Sequence, residues 1–215
     1  MLYYRDMKIT QFSHPDLIHA VTLYPDSTET TQIHRYWHLV NGIKDTTGDD
    51  ELLDHSGVVY FICIDDEIVK VGGSTDNIKG LLGQYIMNLK SKGDPMFTRF
   101  PIYLMMLYLL CQGHRIDFYY IPVTPYKIVL KDLVTGLPVE VMATDFHGFE
   151  TGYIQHVADT CGSIPIWNMA ENGNSFDPEL RDLWEARRLT LADDGDQFDY
   201  NSFLNREWNF LGHLA

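Results

Sequence analysis

The stretch GVVYFICIDDEIVKVGG, Gly57 to Gly73, constrains this chain more than any other. Two runs rich in β-branched and aromatic residues flank a short acidic turn, and a pair of glycines closes the second run. That pattern predicts a β-hairpin. Ser74, Thr75 and Asp76 follow, each able to cap a helix N-terminus. Ile78, Leu81, Leu82, Tyr85, Ile86 and Leu89 then fall on one apolar face of a 3.6-residue repeat. The segment therefore reads as strand, strand, helix.

The rest of the chain extends this unit. FPIYLMMLYLLC, Phe100–Cys111, is apolar on every side and reads as a buried helix from about Pro101, with the proline in its first turn. Arg99 is placed in the loop before it. RIDFYYIPV reads as a strand, YKIVLKD and GLPVEVMAT as a strand pair about LVTG, and HGFETGYIQHVADTCG as a helix closed by Gly162. DPELRDLWEARRL reads as a last amphipathic helix. The order gives an α+β class with a small, mainly antiparallel sheet flanked by helices.

A chain of 215 residues with 45% hydrophobic content can bury one sizeable core. Three parts are expected: a core domain over 57–168, an N-terminal extension or cap over 1–56, and a C-terminal helix with an acidic aromatic tail over 169–215. No apolar run reaches the roughly 18–20 residues that span a bilayer, and MLYYRDMKIT lacks the order of a secretory signal. These features lead to the expectation of an intracellular protein. Cys63, Cys111 and Cys161 show no paired spacing and are expected to be free, buried thiols. His34 and His38, four apart in HRYWH, could share a helix face for a metal, but the adjacent glutamate of such motifs is missing. Net charge is −14. It lies mostly in the flanks, at −5 over 1–56 and −6 over 169–215, against −3 in between. Such a balance argues against avid long-range attraction to nucleic acid and leaves room for a local basic groove.

At the hairpin the chain resembles the GIY-YIG nuclease superfamily, in the Lys-Ile-Gly form found in some restriction endonucleases and phage-encoded relatives. Tyr60 matches the first motif tyrosine, and KVG, Lys70–Gly72, matches the second motif with lysine in the tyrosine's place. Tyr85 matches a further active-site tyrosine of that branch. Glu150 in FETGYI matches the metal-binding glutamate, and Asn168 in IPIWN the late asparagine. The resemblance covers about Gly57–Asn168. It departs at Leu81, where relatives keep an arginine.

The resemblance implies a magnesium-dependent DNA endonuclease. Glu150 would hold one Mg2+, a single carboxylate with retained waters suiting that ion. Lys70, if buried near a cation, would have a lowered pKa and serve as general base. Tyr60, Tyr85 and Asn168 would complete the catalytic set. Ser74, Lys79 and Arg99 would bind the DNA backbone, although the helical period turns Lys79 away from the Tyr85 face. Two copies would be needed to cut both strands together, so a homodimer is a further expectation. The acidic flanks offer a surface for a protein partner.

Each residue also has a plain reading. Tyr60 suits a core strand, Lys70 a solvated strand end, Glu150 a helix surface and Asn168 a turn. Leu81 is most simply core. A leucine cannot do the arginine's work of clamping a phosphate through a planar fork. The alternative is therefore a catalytically inactive GIY-YIG fold used for binding or as a phage structural or accessory protein. A third reading is an introduced substitution at Leu81; its fit to the apolar stripe favours a natural leucine instead.

Overall fold

The structure, a computed structural model, describes residues 7–23, 57–86, 99–124, 126–132, 134–143, 145–168, 182, 200–208 and 210. Of the helix expected at DPELRDLWEARRL only Asp182 is described, and it is helical; the His34–His38 pair and Leu89 lie outside the described residues. The described elements are strands β1 (Ile18–Leu23), β2 (Val58–Ile64), β3 (Glu67–Ser74), β4 (Ile116–Pro122), β5 (Tyr126–Lys131) and β6 (Pro138–Ala143). The helices are α1 (Ile78–Ile86), α2 (Arg99–Cys111), α3 (Phe146–Cys161) and the short α4 (Tyr200–Leu204).

The fold is α+β. Four strands form an antiparallel sheet in the order β1-β4-β2-β3. β2 is buried at all seven positions, because neighbours cover both its edges and both its faces. This explains its unbroken apolar sequence. The β2–β3 hairpin turns on Asp65 and Asp66, both at positive φ, 48° and 77°. Paired positive φ is the type I′ geometry that matches strand twist, and aspartate tolerates it better than most residues.

One face of the sheet, through Val58, Tyr60, Ile62 and Ile64, packs on α1 and α2, with Trp167, Phe203 and Phe210 in the same core. The other face, through Val59, Phe61, Cys63 and Val71, packs on Ile154, Val157 and Cys161 of α3 and on Met7, Ile9 and Phe12. α2 is buried from Ile102 to Leu110, as an all-apolar helix must be. α3 starts on the Asp145 side chain, which accepts from Gly148 N–H, and ends on Gly162 at φ 80°. The left-handed cap conformation there is the one glycine adopts without penalty.

Several expectations need correction. Within the N-terminal part expected as an extension or cap, Ile18–Leu23 is an unforeseen edge strand paired with β4. α1 is capped by none of Ser74, Thr75 and Asp76. Asn77 does this, accepting from Gly80 N–H at 2.8 Å, because β3 runs on through Ser74 and the helix starts only at Ile78. Arg99 is the first residue of α2 rather than a loop residue. Cys111 is exposed while Cys63 and Cys161 are buried, since Cys111 is the last residue of α2 and the chain leaves the core there. Burial pushes the Cys63 thiol up, helped by nearby Asp117 and Asp66, which keeps it protonated and inert.

The tail packs on its own domain. Trp167 Nε1 donates to the Phe210 carbonyl at 3.0 Å, and Trp208 N–H donates to Tyr108 Oη at 3.2 Å. β5 and β6 form a separate two-stranded sheet. Its register sets Tyr126, Ile128 and Leu130 opposite Ala143, Val141 and Val139, an apolar face with Leu130 51% exposed.

At the hairpin-turn end, Asp117 is buried beneath His19, Thr22 and Arg115. It takes hydrogen bonds from Arg115 Nε at 2.8 Å and from Thr22 Oγ1, and lies 3.1 Å from His19 Nε2. Burial by itself would raise the carboxyl; the hydrogen bonds and the Arg115 charge outweigh it and hold the group below its ordinary value. A depressed carboxylate contributes stability above its unfolded pKa of about 3.9 and loses it as pH falls through the lower folded value. Asp117→Asn is therefore expected to cost about 2 kcal/mol at pH 7. The gap to wild type should narrow below about pH 4. Thermal melts across pH check this; a gap independent of pH would disprove the ionic contribution.

Candidate active site

The site forms at Gly72 and Gly73, near the end of edge strand β3. Gly72 stands opposite Tyr60 in the ladder, and the Tyr60 ring lies across it. A Cβ on Gly72 would meet the Tyr60 Cε1 at 2.7 Å and the hydroxyl end of the ring closer still. Only glycine lets the ring lie there. Beyond it, Tyr60 Oη and Tyr85 Oη are 2.6 Å apart, with the rings edge-on at 5.8 Å. Both tyrosines are nearly buried, 5% and 3% exposed. The helix supplies Tyr85 from the same apolar stripe that the sequence predicts.

Glu150 reaches the same edge from the opposite face. It projects from α3, and a Cβ on Gly73 would lie 2.9 Å from Glu150 Oε2 and 2.6 Å from Phe146 Cδ2. Adjacent Cα atoms are about 3.8 Å apart, so the Tyr60 hydroxyl and the Glu150 carboxylate are separated by at most about 12 Å. The two glycines reduce the strand to bare backbone where groups from both faces approach it.

Lys70 stands opposite Ile62, on the Tyr60 side of the sheet, and is half-buried. Ser74 is buried and accepts from Asp76 N–H at 3.1 Å, a local turn bond. Lys79 and Arg99 begin or lie in helices α1 and α2; their side chains lie outside the description. Leu81 is 1% exposed, within the core shared by Ile78, Leu82 and Tyr85.

Asn168 sits where the sequence does not foresee. It is 1% exposed, and its amide pairs with both backbone groups of Val71. Oδ1 accepts from Val71 N–H at 2.8 Å, and Nδ2 donates to the Val71 carbonyl at 2.7 Å. Trp167 N–H donates to the Val69 carbonyl at 2.8 Å. Near the start of the strand, Ile68 N–H donates to the Met7 carbonyl at 2.9 Å. Two distant segments thus cover an edge that would otherwise invite pairing. The Asn168 amide stands in for a missing strand, one residue before Gly72. Asn168→Ala should strand both Val71 groups and cost about 2–4 kcal/mol, or roughly 5–15 °C in Tm at this size. Calorimetry checks this; an unchanged Tm would remove the clamp from the account.

Sequence reasoning gave His147 no role, since its nine-residue spacing from His156 suits no metal pair. Its Nδ1 lies 3.2 Å from Glu150 Oε2, and its ring stacks obliquely on Phe146 at 4.1 Å. The signal was the spacing in HGFE, which puts His147 and Glu150 on one side of a helix. Among the described residues, no group of three or more His, Cys, Asp or Glu could hold a metal ion. A closed cage is thus absent there. Glu150, drawn against bare backbone at Gly73, fits instead an open, largely hydrated divalent ion.

No protein-family model matches this chain, and no curated protein matches it. Among solved structures it is similar to a mutant form of bacteriophage T4 EndoII, at 16% identity and TM-score 0.41, over 71% of this chain and 91% of that one. It is also similar to restriction endonuclease HPY188I in complex with product DNA, at 17% identity and TM-score 0.40, over 75% of this chain and 85% of that one. No described helix is long and apolar enough to cross a membrane.

Proposed function

We propose that this protein is a metal-dependent DNA endonuclease of GIY-YIG type, hydrolysing phosphodiester bonds at the Gly72–Gly73 edge inside the cell. The observation that carries this reading is the approach of the Tyr60–Tyr85 hydroxyl pair and, from the opposite face, of the Glu150 carboxylate to two adjacent glycines of one strand edge. Glu150 would hold a Mg2+ ion, which supplies positive charge to the phosphate and its leaving oxygen. The Tyr60 hydroxyl, fixed by its bond to Tyr85, orients the attacking water. Lys70 receives the water's proton from the same face. Asn168 acts as a positioning residue, holding β3 flat against the site. Lys79 and Arg99 steer the DNA backbone, and two copies acting as a homodimer cut both strands; the buried Ser74 instead shapes the turn between β3 and α1. The acidic flanks repel stray phosphates and serve a protein partner.

Incubation of the purified protein with supercoiled plasmid and magnesium tests the reading. Nicking above a Glu150→Ala control is expected; none above that control would end it.

A second reading is favoured by Leu81, which fills the core where the family arginine would stand. In it the fold is a catalytically silent binding or phage accessory module. Activity in the wild-type protein would eliminate this alternative.

A further inference from the structure

The first turns of α3 offer a ligand beside Glu150. His147 and Glu150 are three residues apart, and their Nδ1 and Oε2 atoms are 3.2 Å apart. Two donors bound side by side on an octahedral ion, each at about 2.1–2.2 Å, are about 3 Å apart. The pair is therefore already at ligand spacing. The same distance serves a hydrogen bond, so the surroundings must decide.

Three features pre-set the pair. The Asp145 side chain accepts from Gly148 N–H at 2.9 Å and fixes the turn that carries His147. The Phe146 ring lies against both Gly73 and the His147 imidazole. Gly73 lets Glu150 Oε2 come to rest on the strand edge. Exposure runs from 19% at the Glu150 side chain to 79% at His147, so the pair opens from the strand toward solvent, where water and a phosphate oxygen can fill the other positions. The Asp145 carboxylate offsets the positive end of the helix dipole, which otherwise disfavours a cation here.

We propose that His147 and Glu150 together bind one divalent transition ion of the Mn2+ class, and that the imidazole selects it over Mg2+. Mn2+ stands lowest among first-row ions for nitrogen ligands, yet it accepts an imidazole beside carboxylate and water, whereas Mg2+ holds to oxygen. This rests on the metal site of the endonuclease reading and replaces its ion.

Electron paramagnetic resonance of the full chain titrated with Mn2+ alone tests the proposal. The free-ion signal should diminish on adding protein, and echo modulation should show coupling to imidazole nitrogen. His147→Ala should remove that coupling and weaken Mn2+ binding by roughly 10–100-fold. Mg2+ binding, followed by displacement of Mn2+, should change little. His156→Ala, farther along the same helix, should keep the coupling. Bound Mn2+ without nitrogen coupling, or unchanged binding in His147→Ala, would overturn the proposal while leaving a Glu150 metal site intact. No Mn2+ or Mg2+ binding in wild type, with plasmid uncut, would overturn both.

Discussion

Leu81→Arg is expected to destabilise the protein by about 3–5 kcal/mol, since it buries a charge without a partner and removes a packed leucine. At roughly 2–4 °C per kcal/mol for a chain of this size, Tm should fall by about 6–20 °C. The reason is local. Leu81 is 1% exposed and shares its core with Ile78, Leu82 and Tyr85. Placing at position 81 the arginine that the GIY-YIG resemblance implies is thus no simple exchange. A melting curve must accompany any activity measurement on this variant. If Tm falls by less than about 2 °C, the arginine head has found water or phosphate. Position 81 then opens onto the site, and a gain in cleavage would support an arginine's role there under the proposed reading. If Tm collapses, loss of cleavage in the variant says nothing about catalysis.

If the protein cleaves DNA as proposed, Glu150→Gln should lower cleavage by at least about 10³-fold, because a neutral amide is a poor substitute for the carboxylate that would hold the metal ion at the phosphate. Stability should change little, within about 1 kcal/mol, since the glutamine keeps the shape of a side chain that is only partly buried. Single-turnover cleavage under saturating metal, together with calorimetry, separates the two effects. Equal cleavage by wild type and variant would remove Glu150 from the mechanism. A large loss of stability would mean that the carboxylate serves the packing of α3 on β3.

These two residues differ in how far the sequence foretells them. Leu81 lies on a helical stripe, and its burial follows from the period alone. The hairpin, the buried α2 and the Gly162 cap follow likewise from patterns within a few residues. Glu150 is recognisable as a candidate through the resemblance, but not its approach from the face opposite Tyr60. That depends on α3 packing across β3, an arrangement between segments far apart in sequence. The strand β1 escaped notice because its alternation is weak on its own, and pairing with β4 is what makes it a strand. Asn77 was missed as a cap because β3 runs one residue past its glycines, to Ser74, and the helix starts only at Ile78.

Asn168 marks the boundary most clearly. As a residue in IPIWN it reads as a turn or as a catalytic amide. In the structure it is 97 residues from Val71 in sequence and bonded to both of its backbone groups. The sequence by itself determined the local elements: the hairpin with its acidic turn, the apolar stripe of α1 and the capped helix α3. Tertiary structure alone decided which side chains meet at Gly72 and Gly73, and which close the edge beside them. Local periodicity is set by short-range sterics and burial, whereas a meeting of three separate segments depends on the packing of the whole core.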